Sequence, residues 1–451
     1  MRVRRLSAGA AAESVRALVP SPRAVEAEVR SIVDEVRADG DEAVMRLTER
    51  FDRAEVAPER LVVAPAEIEA ALGTLEPAVL AGLRAAVANV RAVARAQLSE
   101  GVEVDLEDGQ RVEVAELPVR RAGAYVPGGR AAYPSTLVMC AVTARVAGVD
   151  ELAVCAPPGP GGRAHPVVLA ACCLCGVTEV YRMGGAQAIA ALALGTESVP
   201  AVDVVVGPGN AYVQEAKRQL AGFVGIDGLA GPSELVVVAS READPELVAL
   251  DLLAQGEHGD DALLALISPD ARLLDDVAAT AVALAAERPS VADATLALVP
   301  VQDARAGVRL AEEIAPEHLE LVGLEAERLA GAVRAAGCLF VGAQAGTAFG
   351  DYAAGSNHVL PTGGSARFQS ALSVSTFRRR MARVSLPGAA AGPLAAAGAA
   401  LARAEGFPVH AESMERRAEL AAAAPSGDSQ RADAGDRDPG GRGTREDQSR
   451  P

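Results

Sequence analysis

Apolar positions first recur at helical spacing near the amino end, where Val25, Val29, Ile32, Val33 and Val36 fall on one face. Ser21 reads as the N-cap of that helix, Pro22 as its first turn and Gly40 as its stop. A second helix is predicted from Asp41, with Val44, Leu47 and Phe51 turned inward. From about Gly123 the pattern changes to short apolar runs that end in Gly or Pro and alternate with helix-like stretches. Strands are expected at Ala124–Val126, Glu151–Cys155, Glu179–Arg182 and Asp203–Val206, which make one doubly wound unit. After Gly231-Pro232-Ser233-Glu234 a second run predicts strands at Leu235–Ala239, Leu263–Ile267, Thr295–Val299, Leu319–Val322 and Leu339–Val341. Ligands of such open sheets bind outside the carboxyl ends of the strands, so a cleft is expected near the carboxyl ends in both units.

Composition narrows the class. The chain has 451 residues, half of them hydrophobic but only 3% aromatic and none Trp, so its cores must be built from Ala, Val and Leu, which suits close-packed parallel strands and helices. A formal charge of -17 repels polyanions, which argues against a nucleic-acid partner. Glu13 and Arg16 interrupt any signal-like apolar run in the first 20 residues, and the longest apolar stretch, Leu386 to Ala402, is Ala, Gly and Pro with few large side chains. The expectation is a cytoplasmic protein that does not enter membranes. Cys140, Cys155 and Cys338 stand singly in apolar runs and Cys172, Cys173 and Cys175 cluster without the second pair a zinc knuckle needs, so structural thiols are expected. The last 27 residues, Pro425 to Pro451, carry six acids, five arginines and no large apolar side chain, which reads as a disordered tail.

Five histidines occur, and four lie beside polar residues of the kinds used in metal and acid–base sites. His165, in a Gly/Pro-rich loop, reads as a surface residue. Gln255 and His258 end a helix running from about Pro245, three positions apart and so on one face. Asp351 and His358 lie in a Gly-rich segment after an apolar strand, and His410 follows Glu405 near the carboxyl end. Gln255, His258, Asp351 and His410 together offer two imidazole nitrogens and two oxygens, a set that suits zinc, although each taken alone also reads as a surface feature. Glu317 and His318 fall where a helix gives way to a strand. They read either as a carboxylate and a proton acceptor or as a histidine complementing a helix end. There is no HExxH zinc-protease motif. Glycine turns at strand ends, Gly207-Pro208-Gly209-Asn210, Gly184-Gly185 with Gln187, and Tyr125 with Gly128-Gly129, would point backbone N–H groups at a phosphate-bearing cofactor, though a GxGxxG fingerprint is absent.

The blocks YVPGG, RMGGAQAIA, VVVGPGNAYVQEAKR, IDGLAGPSELVVVA, LLAQGEHG, IAPEHLEL, GDYAAGSNHVLPTGG and EGFPVHAES stand in order along the chain, and together they resemble the histidinol dehydrogenase family from about residue 20 to 420. The resemblance implies an α/β fold of two incomplete Rossmann-like doubly wound domains with small helical terminal segments. It divides the chain into an N-terminal segment 1–20, a discontinuous first domain of 21–122 and 235–372, an NAD-binding second domain 123–234, and a C-terminal helical segment 373–424 making dimer contacts. It implies oxidation of L-histidinol through L-histidinaldehyde to L-histidine with two NAD and one Zn2+ per subunit. By resemblance the zinc ligands are Gln255, His258, Asp351 and His410, His318 is the proton acceptor and Glu317 activates water. Ser233, Tyr352, His358 and Glu405 join the ligands and His318 as substrate contacts, and Tyr125, Gln187 and Asn210 hold NAD. A homodimer is implied, with terminal segments reaching the other subunit. A related NAD- and zinc-dependent dehydrogenase of another small polar alcohol, and a zinc hydrolase using Glu317, stay open as alternatives.

Overall fold

The computed structural model describes residues 1–19, 24–128, 131–159 and 161–423, and the chain divides into two compact units, 1–100 with 116–380 and 101–115 with 381 onward. The first unit holds two parallel sheets. In the larger, strands β1 (Arg2–Arg5), β11 (Thr295–Pro300), β10 (Leu263–Ser268), β9 (Glu234–Ala239), β12 (His318–Val322) and β13 (Cys338–Val341) lie side by side in that order. In the smaller the order is β6 (Glu179–Tyr181), β5 (Glu151–Cys155), β4 (Arg121–Tyr125), β7 (Val204–Val206) and β8 (Gly225–Ile226). Strand order reverses between β9 and β12 in one sheet and between β4 and β7 in the other, the doubly wound arrangement read from the sequence. All residues of β9, β10 and β12 are buried, which is why Leu235–Ala239 and Leu263–Ile267 read as unbroken apolar runs, whereas β12 buries His318 and Glu320 between its apolar residues.

The cores divide the chain differently from the expected domains. Val29, Ile32, Val36, Val44 and Leu47 of helix Glu26–Asp52 share a core with Ile189, Leu192, Val213 and Leu220 on one face of the five-stranded sheet. Helix Pro77–Ala96 packs on its other face, through Leu83, Val87 and Val90 against Leu137, Val138 and Val168. Residues 26–96 therefore belong with the smaller sheet, not with 235–372, because their apolar stripes complete that sheet's two faces. The amino-terminal segment is also no mere extension, since β1 pairs in parallel with β11. Helix Pro77–Ala96 is long and apolar enough, by length and composition alone, to cross a membrane.

Gly40 interrupts helix Glu26–Asp52 with non-helical dihedrals, as its stop signal suggested, but Phe51 is 45% exposed rather than inward. The cap expected at Ser21-Pro22 and the tail 425–451 lie outside the described residues. The second unit carries strand pairing that the apolar pattern did not show, in a three-stranded sheet ordered β14 (Arg378–Ser385), β3 (Arg111–Pro118), β2 (Val102–Asp105). The carboxyl-terminal segment thus begins with a strand before helices Gly388–Ala404 and Pro408–Ala423, which pack on each other through Ala399, Ala402 and Ala411.

Candidate active site

A cleft of about 1340 Å³ opens between the two sheets of the first unit. That is more than one small ligand fills, leaving room for a substrate and the reactive end of a cofactor. The smaller sheet offers its carboxyl ends, with Tyr125 closing β4 and Gly207-Pro208-Gly209-Asn210 following β7. The larger sheet does the opposite of what was expected. Ser233 precedes β9, Glu317 precedes β12 and His318 begins it, so this sheet presents amino ends. The reason lies in connectivity, because helix Pro245–Gly256 runs back from the carboxyl end of β9 and delivers Gln255 and His258 beside the start of β10.

The register of β9 against β12 pairs His318 with Leu235 and so sets Glu317 beside Glu234. The two glutamates clasp each other's backbone: Glu234 N–H donates to Glu317 Oε2 at 2.8 Å, and Glu317 N–H donates to Glu234 Oε2 at 3.1 Å. Glu234 also accepts from Arg16 at 2.8 Å and from the Gly363 N–H at 3.0 Å. His318 Nδ1 lies 3.0 Å from the Glu234 carbonyl oxygen. A carbonyl can only accept, so Nδ1 carries the hydrogen and Nε2 is left as the basic atom. Nε2 points toward Asp351 Oδ1 at 3.7 Å, while the ring stacks on Phe340 with centroids 5.9 Å apart. Burial disfavours the charged imidazole, but the Glu317 and Asp351 carboxylates more than offset it, so the His318 pKa is raised well above the ordinary value. For Asp351, burial opposes ionisation and the His318 cation outweighs it, leaving the group below its usual range.

Asp351 sits on the short helix Thr347–Tyr352, and its second oxygen, Oδ2, lies 4.0 Å from His258 Nε2. Two donors of one zinc, each about 2.0–2.2 Å from it, can stand up to about 4 Å apart, so this pair is within reach of a shared ion. Gln255 is 1% exposed and lines the same cleft. Among the described residues, no three His, Cys, Asp or Glu side chains gather into a metal-holding group by themselves. The cleft therefore offers an amide oxygen, an imidazole and a carboxylate, a set suited to zinc that still lacks its fourth donor. His410 belongs to the second unit, exposed on helix Pro408–Ala423 with its ring 5.4 Å from that of Phe407, and exposed Glu405 ends the preceding helix. The cleft of the first unit is built without either.

The remaining candidates divide. Ser233 lines the cleft, as does Tyr352, 62% exposed. His358 lines it with both ring nitrogens engaged, Nδ1 by the Asp351 carbonyl at 2.8 Å and Nε2 by the Thr136 hydroxyl at 3.0 Å. Burial lowers its pKa, so it is a neutral tether between helix Pro134–Ala147 and the Asp351 segment. Asn210 caps helix Ala211–Leu220, its Oδ1 accepting from the Tyr212 and Val213 N–H groups, which leaves only its amide NH2 for a ligand. Tyr125 lines the cleft and its phenolic oxygen accepts the Gly185 N–H at 3.1 Å. Gln187 is 1% exposed, outside the cleft lining, with neither side-chain polar atom partnered. His165 is exposed and caps helix Pro166–Leu174. Cys140, Cys155, Cys172 and Cys175 are buried, whereas Cys173 and Cys338 are partly exposed.

Lys217 and Asp227 were missed in the sequence. The ammonium is 2.6 Å from Asp227 Oδ1 and also donates to the Gly207 carbonyl, while Asp227 Oδ2 accepts the Gly207 N–H at 2.7 Å. Both side chains are buried, so the Gly207 turn is held from two sides. Gly207 itself adopts φ +114°, and a Cβ there would collide with the Tyr125 carbonyl oxygen, so only glycine lets β4 and β7 end this close together. A signal existed: Val213, Lys217 and Leu220 share one helix face, and a lysine on an apolar stripe calls for a buried partner.

The family model of histidinol dehydrogenase matches residues 19–418. Over 341 residues, 74% of this chain and 77% of the relative, it is 45% identical to histidinol dehydrogenase of Pseudomonas fluorescens. Over 327 residues, 71% of this chain and 75% of the relative, it is 47% identical to that of Parasynechococcus marenigrum. The crystal structure of histidinol dehydrogenase from Elizabethkingia anophelis superposes with a TM-score of 0.86 at 28% identity, covering 93% of this chain and 98% of that one. A cleft that gathers a buried histidine, its carboxylates and the Gln255–His258 pair, on a chain matched over nearly its whole length, places the protein in the histidinol dehydrogenase family of oxidoreductases.

Proposed function

We propose that the protein oxidises L-histidinol to L-histidine through the aldehyde, in the cytoplasm, with NAD as oxidant and zinc as resident metal. The observation that carries this reading is that Ser233, Gln255, His258, Glu317, His318 and Asp351, drawn from distant parts of the chain, line one cleft that also holds Tyr125 and the Gly207–Asn210 turn. When bound, zinc would anchor nitrogens of the substrate and occupy the Asp351 charge, and NAD would accept hydride. A metal ion on Asp351 would neutralise one of the two carboxylates that hold His318 charged, and the imidazole would then be free to take the substrate hydroxyl proton at Nε2, with its Nδ1 hydrogen held on the Glu234 carbonyl. Glu317, 7% exposed beside His318 and facing the cleft, deprotonates the water that hydrates the aldehyde before the second oxidation. Asp351 serves twice, with one oxygen toward His318 and the other toward His258. Gln255, His258 and Asp351 hold zinc together with His410. Tyr125, Gln187 and the Asn210 amide hold the cofactor, and the unpartnered atoms of buried Gln187 support that role, because a buried amide needs partners.

The second unit exposes Val384, Leu386, Leu401, Phe407, Val409 and Leu420, an apolar surface suited to a homodimer contact through which His410 and Glu405 enter the partner's cleft. NADH absorbance on adding histidinol to zinc-loaded protein tests the activity. His318→Ala is expected to lose at least about a hundredfold in turnover with full zinc content, the scale of a lost general base. His258→Ala is expected to lose metal and turnover together. An active enzyme whose His258→Ala variant keeps one tightly bound zinc would refute the ligand set.

A further inference from the structure

A second polar cluster lies behind the Tyr125 wall of the cleft, where helix Glu26–Asp52 ends. Thr48 Oγ1 and Asp52 Oδ2, one helical turn apart, are buried without partners, and so are both polar atoms of the Gln187 side chain. Native proteins rarely leave buried polar atoms unmatched, and Asp52 is only partly buried, so it is the member of this group at which a ligand could supply the missing donors. The turn Gly184-Gly185 after β6 joins these groups. Asp52 Oδ1 lies 3.4 Å from where a Gly184 Cβ would stand, and Gln187 Oε1 lies 2.7 Å from where a Gly185 Cβ would stand. The N–H of Gly185 donates to the Tyr125 phenol, and Tyr125 lines the cleft, so the cluster is continuous with the cleft wall. It sits at the start of helix Gly185–Leu194, at a carboxyl end of the smaller sheet, the side on which doubly wound sheets bind ligands.

Asp52 is the one charged group among these side chains, and it has acceptors only. Hydroxyl donors in a pair match it, whereas a phosphate at the same place would meet like charge. We propose that Asp52 accepts hydrogen bonds from the ribose hydroxyls of the dinucleotide held at Tyr125 and Gln187, and so selects NAD over its 2′-phosphorylated form. This rests on the proposed cofactor site. Burial pushes the Asp52 carboxyl up to about 6, as befits an acid short of donors. The acid comes from a helix preceding the sheet rather than from a loop after its second strand, which is why no fingerprint spacing announces it.

The test is fluorescence titration of the zinc-loaded, substrate-free protein with NADH and with NADPH, for the wild type and for Asp52→Asn and Asp52→Ala. The wild type should saturate with NADH and bind NADPH at least about tenfold more weakly. Both variants should bind NADH about tenfold more weakly and lose the preference. Removing a carboxylate whose ionisation burial already opposes should leave their melting temperatures at or above the wild-type value, so weaker binding would not reflect unfolding. Unchanged NADH affinity and unchanged preference in both variants would overturn the role of Asp52 alone. A wild type that never saturates with NADH would instead overturn the cofactor site beneath it.

Discussion

The Lys217–Asp227 pair shows how a single residue holds a functional turn. Both charges are buried, and each also bonds the Gly207 backbone. Taking away one partner strands the other in a low-dielectric interior, which typically costs about 3–5 kcal/mol, whereas removing both is far milder. Lys217→Met should therefore lower unfolding free energy in urea by about that amount, and adding Asp227→Leu should recover most of it. Cofactor affinity should not return with stability in the double variant, because the Gly207 turn has lost both of its anchors. Equal stability for Lys217→Met and wild type would show that the pair contributes no more than an exposed bridge.

At the scale of elements, what the sequence reveals and what it hides follow one rule. Glu317-His318 is legible because both residues sit together at a boundary between a helix and a strand. Strand positions from β4 to β7 and β9 to β11 are legible because parallel strands buried on both faces are mostly short apolar runs ending at turns. Glu234 is not legible, since its role depends on pairing with β12, whose first residue lies 84 positions away along the chain. Nor is the strand β1, whose sequence RVRR reads as a charged amino end until β11 supplies its ladder. The amino-end placement of the larger sheet's residues was hidden for the same reason, as only topology shows which way Pro245–Gly256 returns. Arg16 on helix Ala12–Arg16 is the link that makes this region testable, because it supports Glu234 through a 2.8 Å ion pair. Burial raises the Glu234 pKa despite Arg16, so folding favours the protonated acid, and stability is lost as pH rises through its folded-state pKa. Arg16→Met should raise that pKa further. Its destabilisation should then be small near pH 5, where Glu234 can stay protonated, and grow toward pH 8 to about 2–4 kcal/mol, read from urea melts at the two pH values. A penalty independent of pH would mean that Arg16 acts through packing instead.

For the whole molecule the decisive feature is that the proposed donors are divided between the two units. Gln255, His258 and Asp351 line the cleft of the first unit, and His410 and Glu405 belong to the second. If each cleft is completed by the partner subunit, defects in different units must complement in a mixed dimer. His258→Ala spoils the cleft of its own chain and His410→Ala spoils only the donor it lends. A hybrid of the two variants then has one doubly damaged cleft and one that is whole. Random reassortment makes about half of all dimers hybrids, each with one of its two sites intact, so an equal mixture should recover about a quarter of wild-type activity from two inactive parents. Were each cleft completed by its own chain, every site in the mixture would keep one lesion and activity would stay at zero. The measurement is NADH formation after partial unfolding and refolding of the mixed variants, against each variant refolded alone. Recovery should follow the hybrid fraction as the mixing ratio is varied, peaking at equal amounts, a dependence that contamination by wild type cannot imitate.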